Sequence, residues 1–336
     1  DKSLERLGFK KLINKVEPLS PYGNERLKKL KSYTRGEEDK LNNEFNKMEK
    51  FIEFSHSQRD LIRNVEIAIH KMKNIKKILD NCLKGNILDD VDFFEIKVQG
   101  ILMQELNSYL KEFPTELAEY CLYDIEEIIK VLDPDNERIP TFYIYDSYSD
   151  TLKNIRNNKR SVETRIFGSK DHEQKAKLKE ERLNILVEEE QEELKIREEL
   201  TKTIFNYSER YLENIEKIAD LDFLMAKVRF AKNYNGIRPI ISKNLEIDAK
   251  GLVNIEVKEM LMAKGKEFTP IDIKLGSGVT VITGANMGGK SVALKTITEN
   301  LLLFNCGFFV IADEATFPIV DFIFFISDDM QDISKG

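Results

Sequence analysis

The stretch Val279-Thr280-Val281-Ile282-Thr283-Gly284-Ala285-Asn286-Met287-Gly288-Gly289-Lys290-Ser291 carries the strongest chemical signal in the chain. Its last eight residues fit the pattern G-x-x-x-x-G-K-[ST]. The β-rich run Val279–Thr283 predicts a strand, and Lys290–Phe304 predicts a helix. A strand that enters a glycine turn and leaves as a helix is the context that a phosphate-binding loop requires. Gly284, Gly288 and Gly289 let the backbone fold tightly and aim its N–H groups inward. The helix N-terminus adds a positive partial charge. Lys290 is placed to meet the β- and γ-phosphates, and Ser291 to set its hydroxyl on Mg²⁺, a hard cation that prefers oxygen. The expected cofactors are therefore ATP or ADP with Mg²⁺, held by Gly284, Ala285, Asn286, Met287, Gly288, Gly289, Lys290, Ser291 and Val292. Hydrolysis does not follow from nucleotide binding.

Downstream, Phe308–Ile311 and Phe322–Ile326 also read as strands. Strand, helix, strand indicates an α/β unit. Phe308-Phe309-Val310-Ile311-Ala312-Asp313-Glu314 imitates a Walker B strand, with Asp for magnesium and Glu as base. It begins only one helix after Ser291, so the reading favoured here is an edge strand followed by a solvated acidic turn. The character of the chain changes after Arg238-Pro239, which puts a domain boundary near Pro239: 1–238 helical, 239–336 α/β with the phosphate-binding loop.

Upstream, glycine and proline are absent between Gly36 and Gly85 and between Gly168 and Gly236. Such breaker-free stretches, rich in Glu, Lys and Leu, predict long helices. Leu41, Phe45, Met48, Phe51, Leu61, Val65, Ala68, Met72, Ile75 and Leu79 keep helical spacing, with a break expected around Ser55-His56-Ser57. Ile196, Leu200, Ile204, Tyr207, Tyr211, Ile215 and Ile218 share one face of a second helix. If Ser169–Asn235 were wholly helical it would span about 100 Å, so it is expected to be a lever or half of a helical hairpin. Shorter helices are expected at about Ile101–Glu112, Thr115–Leu132 and Ser149–Phe167, with a turn at Asp133-Pro134-Asp135-Asn136.

Composition excludes several classes. The 336 residues hold 52 Lys and Arg against 59 Asp and Glu, a formal charge of −7. With 33% charged and 41% hydrophobic residues, the chain is too apolar for disorder and too charged for a membrane protein. No apolar run approaches the ~20 residues of a membrane span. Three scattered cysteines (Cys82, Cys121, Cys306) suggest neither a disulfide framework nor a metal site, and fit a reducing cytoplasm. Asp1 stands in place of a Met and Gly336 closely follows an apolar run, so both ends are expected to be cut.

The run Val281–Ser291 closely resembles the ATPase signature of the MutS mismatch-repair family, usually I-T-G-P-N-M-G-G-K-S, with Ala285 at the proline position. Val292-Ala293-Leu294-Lys295-Thr296 looks more like the second MutS branch, which lacks a mismatch-reading domain. Further matches follow in order. Leu4-Glu5-Arg6-Leu7-Gly8-Phe9-Lys10-Lys11 and Ser20-Pro21-Tyr22-Gly23-Asn24-Glu25-Arg26-Leu27 look like the opening of that branch. Leu132-Asp133-Pro134-Asp135 with Leu152–Arg156 looks like its approach to the clamp, and Asp220–Lys227 like the end of the returning lever. Cys306–Ala312 and Phe325-Ile326-Ser327-Asp328-Asp329-Met330 look like later family segments.

The resemblance implies a mainly α-helical core and lever domain followed by a partial, ABC-type α/β P-loop domain. It implies a coiled-coil lever that ATP opens and closes, a homodimer through the ATPase domain, and DNA repair as the setting. In the family an aromatic or apolar segment precedes the loop by one strand; here Phe268 stands in it, either to stack on adenine or to pack between strands. The chain departs from the family in three ways. It has no mismatch-reading wedge. Its clamp, near 168–182, is shortened or absent. The family's signature loop, true Walker B Asp-Glu and late histidine are expected beyond Gly336, so ATPase activity is expected of a complete protein and poor activity of this fragment.

DNA binding needs lysines or arginines facing phosphates. At the lever tip Lys170, Lys175, Lys177, Lys179 and Arg182 are interleaved with Asp171, Glu173, Glu180 and Glu181. Glu188, Glu189, Glu190, Glu192, Glu193, Glu198 and Glu199 follow, against only Lys195 and Arg197. Stronger basic patches are Lys153, Arg156, Lys159, Arg160 and Arg165, and Arg26, Lys28, Lys29, Lys31 and Arg35. Three readings result: a dimeric MutS-like lever acting on DNA structures, a MutS-like ATPase gripping a protein partner, and a non-hydrolysing scaffold.

Overall fold

The computed structural model describes residues 8–285 and 288–326. The N-terminal part is helical: α1 (Phe9–Ile13), α2 (Pro21–Lys28), α3 (Glu38–Ser57), α4 (Arg59–His70), α5 (Lys76–Leu83), α6 (Asp90–Leu110) and α7 (Glu126–Leu132). Then come α8 (Asp150–Gly168) and the 63-residue α9 (His172–Tyr234). The break between α3 and α4 falls at Gln58. There the Ser55 and Ser57 hydroxyls donate to the carbonyls of Ile52 and Phe54, a competing use of last-turn acceptors that weakens helix continuation. Helix α6 starts on a reciprocal capping box between Asp89 and Asp92, which satisfies N–H groups that the helix itself cannot.

Beyond α9 lie β1 (Ile240–Ser242), β2 (Ile247–Leu252), α10 (Ile255–Ala263), β3 (Ile271–Leu275), α11 (Lys290–Asn305) and β4 (Glu314–Pro318). The four strands form one mixed sheet of order β1-β4-β2-β3. Strands β1 and β4 are parallel and the other pairs antiparallel. A helical region followed by a small α/β region matches the sequence expectation at that level. Among the described residues, no helix is long and apolar enough to cross a membrane.

The strand assignments need correction. Val279–Thr283 is not a strand; Val279 and Val281 are 94% and 74% exposed. Among the described residues no strand pairs with it, and an unpaired segment must leave its backbone groups to water. Phe322–Ile326 is likewise unpaired, with Phe322, Phe324 and Ile326 exposed. Phe308–Ile311 is buried but irregular. Val310 makes one isolated bridge with Ile237, while the Ile311 N–H donates to the Asn300 side chain. The regular strand comes later, at Glu314–Pro318. The acidic pair therefore opens a central strand, with Glu314 its first residue, instead of ending an edge strand. Both acids are exposed, and Glu314 pairs with Lys250 at 2.8 Å.

The chain divides into two compact units that interleave in sequence. The first comprises Asp1–Arg63, Phe113–Tyr120 and Ile218–Gly336. Its core joins Phe9, Leu12 and Val16 to Phe230, Leu303, Phe308 and Ile311. Phe45 packs edge-on to Phe309 and beside Phe304. Lys227 is buried against Glu44 and lies 4.8 Å from the Phe223 ring centre, so its charge is met by both a carboxylate and a π face.

The second unit comprises Asn64–Glu112 and Cys121–Lys217. Gly100 in α6 faces Tyr211, whose hydroxyl would lie 2.4 Å from any Cβ there. Glycine is what permits that approach. Lys97 and Asp133, both fully buried, pair at 2.8 Å. The same ammonium donates to the Tyr145 hydroxyl and the Thr141 carbonyl.

Candidate nucleotide site and charged hairpin

Gly284, Ala285, Gly288, Gly289, Lys290, Ser291 and Val292 come together where the chain enters α11. Asn286 and Met287 lie outside the described residues, as do Leu4–Leu7 and Ser327–Met330. Gly289 immediately precedes the helix at φ +81°, a left-handed conformation that side chains resist. The Gly288 N–H donates to the Ala285 carbonyl at 3.0 Å, and a Cβ on Gly288 would lie 2.9 Å from that same oxygen. The turn thus requires both glycines. Lys290 Nζ donates to the Gly284 and Ala285 carbonyls at 2.9 and 2.7 Å, folding its ammonium across the loop.

The helix ladder begins with the Ala293 N–H donating to Gly289. The preceding N–H groups of Lys290, Ser291 and Val292 belong to the first turn, which has no intrahelical acceptors. Their positive end points to the exposed loop. Ser291 is exposed and free to turn outward. Among the described residues no cluster of three His, Cys, Asp or Glu side chains is arranged to hold a metal ion. That is compatible with magnesium, which takes few protein ligands when phosphates supply the rest. Phe268 is half-buried ahead of β3, and none of the loop contacts above involves it.

What holds α11 in place was not anticipated from the sequence. Its inner face carries buried polar side chains among the leucines. Asn300 accepts from the Ile311 N–H and donates to the Val253 carbonyl. Asn305 accepts from the Val320 N–H at 3.1 Å. Glu299 accepts from Asn254 at 2.8 Å. These groups supply partners to irregular backbone that a sheet would otherwise satisfy. The available signal was three polar residues on an otherwise apolar helix face.

The hairpin of α8 and α9 is joined by only three residues, 169–171, with no strand between the helices. It brings the basic patch and the acidic run against each other. Arg156 pairs with Asp146, Glu189 and Glu193 at 2.5, 3.1 and 2.8 Å. Lys159 also binds Glu189, Arg182 binds Glu163, and Arg165 approaches Glu181. Arg197 is shared by Asp90 and Glu193. Arg156 and Lys159 of the basic patch thus engage Glu189 and Glu193 of the acidic run. In the second basic patch, Arg26 binds Asp220 and Arg35 approaches Asp321.

The chain joins a helical region, a small mixed sheet and a glycine loop bearing Lys and Ser at a helix N-terminus, and its sequence can be compared with known proteins. The chain is similar to the endonuclease MutS2 of Caldicellulosiruptor bescii, 34% identical over 137 residues, covering 40% of this chain and 17% of that protein. It is also similar to the endonuclease MutS2 of Caldanaerobacter subterraneus, 28% identical over 280 residues, covering 82% of this chain and 34% of that protein. The DNA mismatch repair protein MutS of Leptospira interrogans is 33% identical over 128 residues, covering 37% of this chain and 15% of that protein. No protein-family model matches the chain. The chain is thus similar in sequence to proteins of the MutS family, endonuclease MutS2 among them. It spans at most about a third of the length of these relatives.

Proposed function

We propose that the chain is the lever-bearing and loop-bearing part of a MutS-like ATPase. Residues 239–336 supply the first portion of the ATPase domain, and 1–238 the helical part. The observation that carries this reading is the turn Gly284–Ser291 at the head of α11. Two glycines there allow a tight loop, and one lysine side chain lies across it. Phosphates would replace the two loop carbonyls as acceptors for Lys290 and take the first-turn N–H groups. Ser291 would place its hydroxyl on Mg²⁺ beside them. When bound, the magnesium nucleotide supplies the phosphoanhydride whose charge these groups hold.

In this reading the complete protein is cytoplasmic, dimerises through its ATPase domain and acts on DNA structures without mismatch specificity. The internal pairing of Arg156, Lys159 and Arg165 with hairpin glutamates favours a second reading, in which the hairpin grips a protein partner. Mg-ATP should raise the melting temperature of the native chain and leave Lys290→Ala unmoved. Equal stabilisation of both would remove the site. Titration with duplex, forked and four-way DNA separates the cargoes. Binding that collapses with added salt supports DNA; no binding at low salt supports protein.

A further inference from the structure

The head of α11 stands clear of the core. Ser291 and Leu294 are exposed, and the first buried side chains of the helix are Thr296, Ile297, Glu299 and Asn300. The place of the phosphate-binding turn is therefore set about 13 Å further along the helix axis, where Glu299 and Asn300 bond to other elements. Of these two anchors only Glu299 can change its charge. One of its carboxyl oxygens, Oε2, accepts from Asn254 Nδ2 at 2.8 Å. Asn254 is the N-cap of α10 and accepts from the Val257 N–H. The other oxygen, Oε1, faces Gly8, which opens α1 at φ +83°. A Cβ on Gly8 would lie 3.2 Å from that oxygen and 2.6 Å from Glu256 Oε2, so two carboxyl groups converge on one glycine. Glu256, in the first turn of α10, is bound by Lys11 of α1 at 2.5 Å. Lys295, one turn back on α11, also acts on Glu299. All these residues belong to the first compact unit.

A buried carboxyl whose donor is a neutral amide, with a second carboxylate beside it, favours the protonated form. Burial pushes Glu299 up to about 7, Glu256 adds to the rise, and the Asn254 bond and Lys295 oppose it. Resting on the nucleotide reading, we propose that Glu299 is a proton-dependent positioning residue for the phosphate-binding turn. Neutral Glu299 seats α11 against α10 and Gly8, and its ionisation loosens that seat and weakens nucleotide binding. The ionised group draws in water or a cation where the neutral one packs, and its charge also opposes the phosphates along the helix. Binding and protonation are then linked, and the linkage is reciprocal. Mg-ATP binds more tightly as pH falls through about 7, and its binding there takes up part of a proton.

Calorimetric titration of the 336-residue chain with Mg-ATP at pH 6 and pH 8 tests this. The native chain should bind roughly three-fold or more weakly at pH 8. Near pH 7 its binding enthalpy should vary with the ionisation heat of the buffer, the mark of proton uptake. Glu299→Gln, which keeps an acceptor for Asn254 and has no proton to lose, should show neither effect. Glu256→Gln should move the fall in affinity to lower pH, because Glu256 favours the neutral form of Glu299. Native binding that does not weaken with pH, or the same weakening in Glu299→Gln, would overturn the proposal and leave the nucleotide reading standing. A native chain that binds no Mg-ATP at either pH would remove that reading and the proposal with it.

Discussion

Two buried ionisable groups define the chemistry at the residue scale. Glu299 is 4% exposed on the inner face of α11. Burial pushes its carboxyl up to about 7; the Asn254 hydrogen bond opposes the rise and Glu256 adds to it. An unfolded-chain glutamate titrates near 4.5. Between those two values the folded state keeps a proton that the unfolded state has released, so stability falls as pH rises through the window and levels off above it. Glu299→Gln keeps an acceptor for Asn254 without the charge. It should be about 3 kcal/mol more stable than the native chain at pH 8 and nearly equal to it at pH 4.5. Urea melts at the two pH values check this, and an equal difference at both would contradict it. Asp133 is the opposite case, a carboxylate held charged by buried Lys97. Asp133→Ala strands that ammonium and should cost about 3–5 kcal/mol, measurable by chemical denaturation.

At the scale of elements, the hairpin of α8 and α9 depends on Arg156. Its guanidinium binds three carboxylates and the Ile144 carbonyl, and Glu189 beside it is 7% exposed. Arg156→Ala should destabilise the hairpin by about 2–4 kcal/mol, read as faster amide exchange across 150–196. Helices were the legible elements. The Leu41–Leu79 spacing gave α3 and α4 with the break at Gln58, within a residue of the expected Ser55–Ser57. The glycine-free stretch gave α9 nearly to its ends. Strands were not legible in the same way. Val279–Thr283 has strand composition, yet pairing depends on a neighbour that local sequence does not name. Phe308–Ile311 was rightly apolar, but its backbone partners include Asn300, Ile237 and Val253, invisible to a local pattern. The turn into α11 was readable because Gly288 and Gly289 answer to local backbone geometry. The asparagines that seat the helix answer to tertiary contacts.

For the whole molecule, the net charge of −7 describes the hairpin only in part: Glu189 and Glu193 of its acidic run pair with Arg156 and Lys159, while Glu188, Glu190, Glu198 and Glu199 are exposed. Replacing Lys153 and Arg160, both exposed, by Ala should weaken any DNA binding and flatten its salt dependence by about one unit of slope per lost phosphate contact. Unchanged binding would place the DNA contact elsewhere. The central claim is that Gly284–Ser291 at the head of α11 takes the phosphates of a nucleotide. Hydrogen exchange of the native chain with and without Mg-ATP tests it directly. The account predicts slowed exchange concentrated at the amides of residues 288–292, and none in Lys290→Ala. Exchange there that is unaltered by Mg-ATP, or protection confined to another segment, would contradict it.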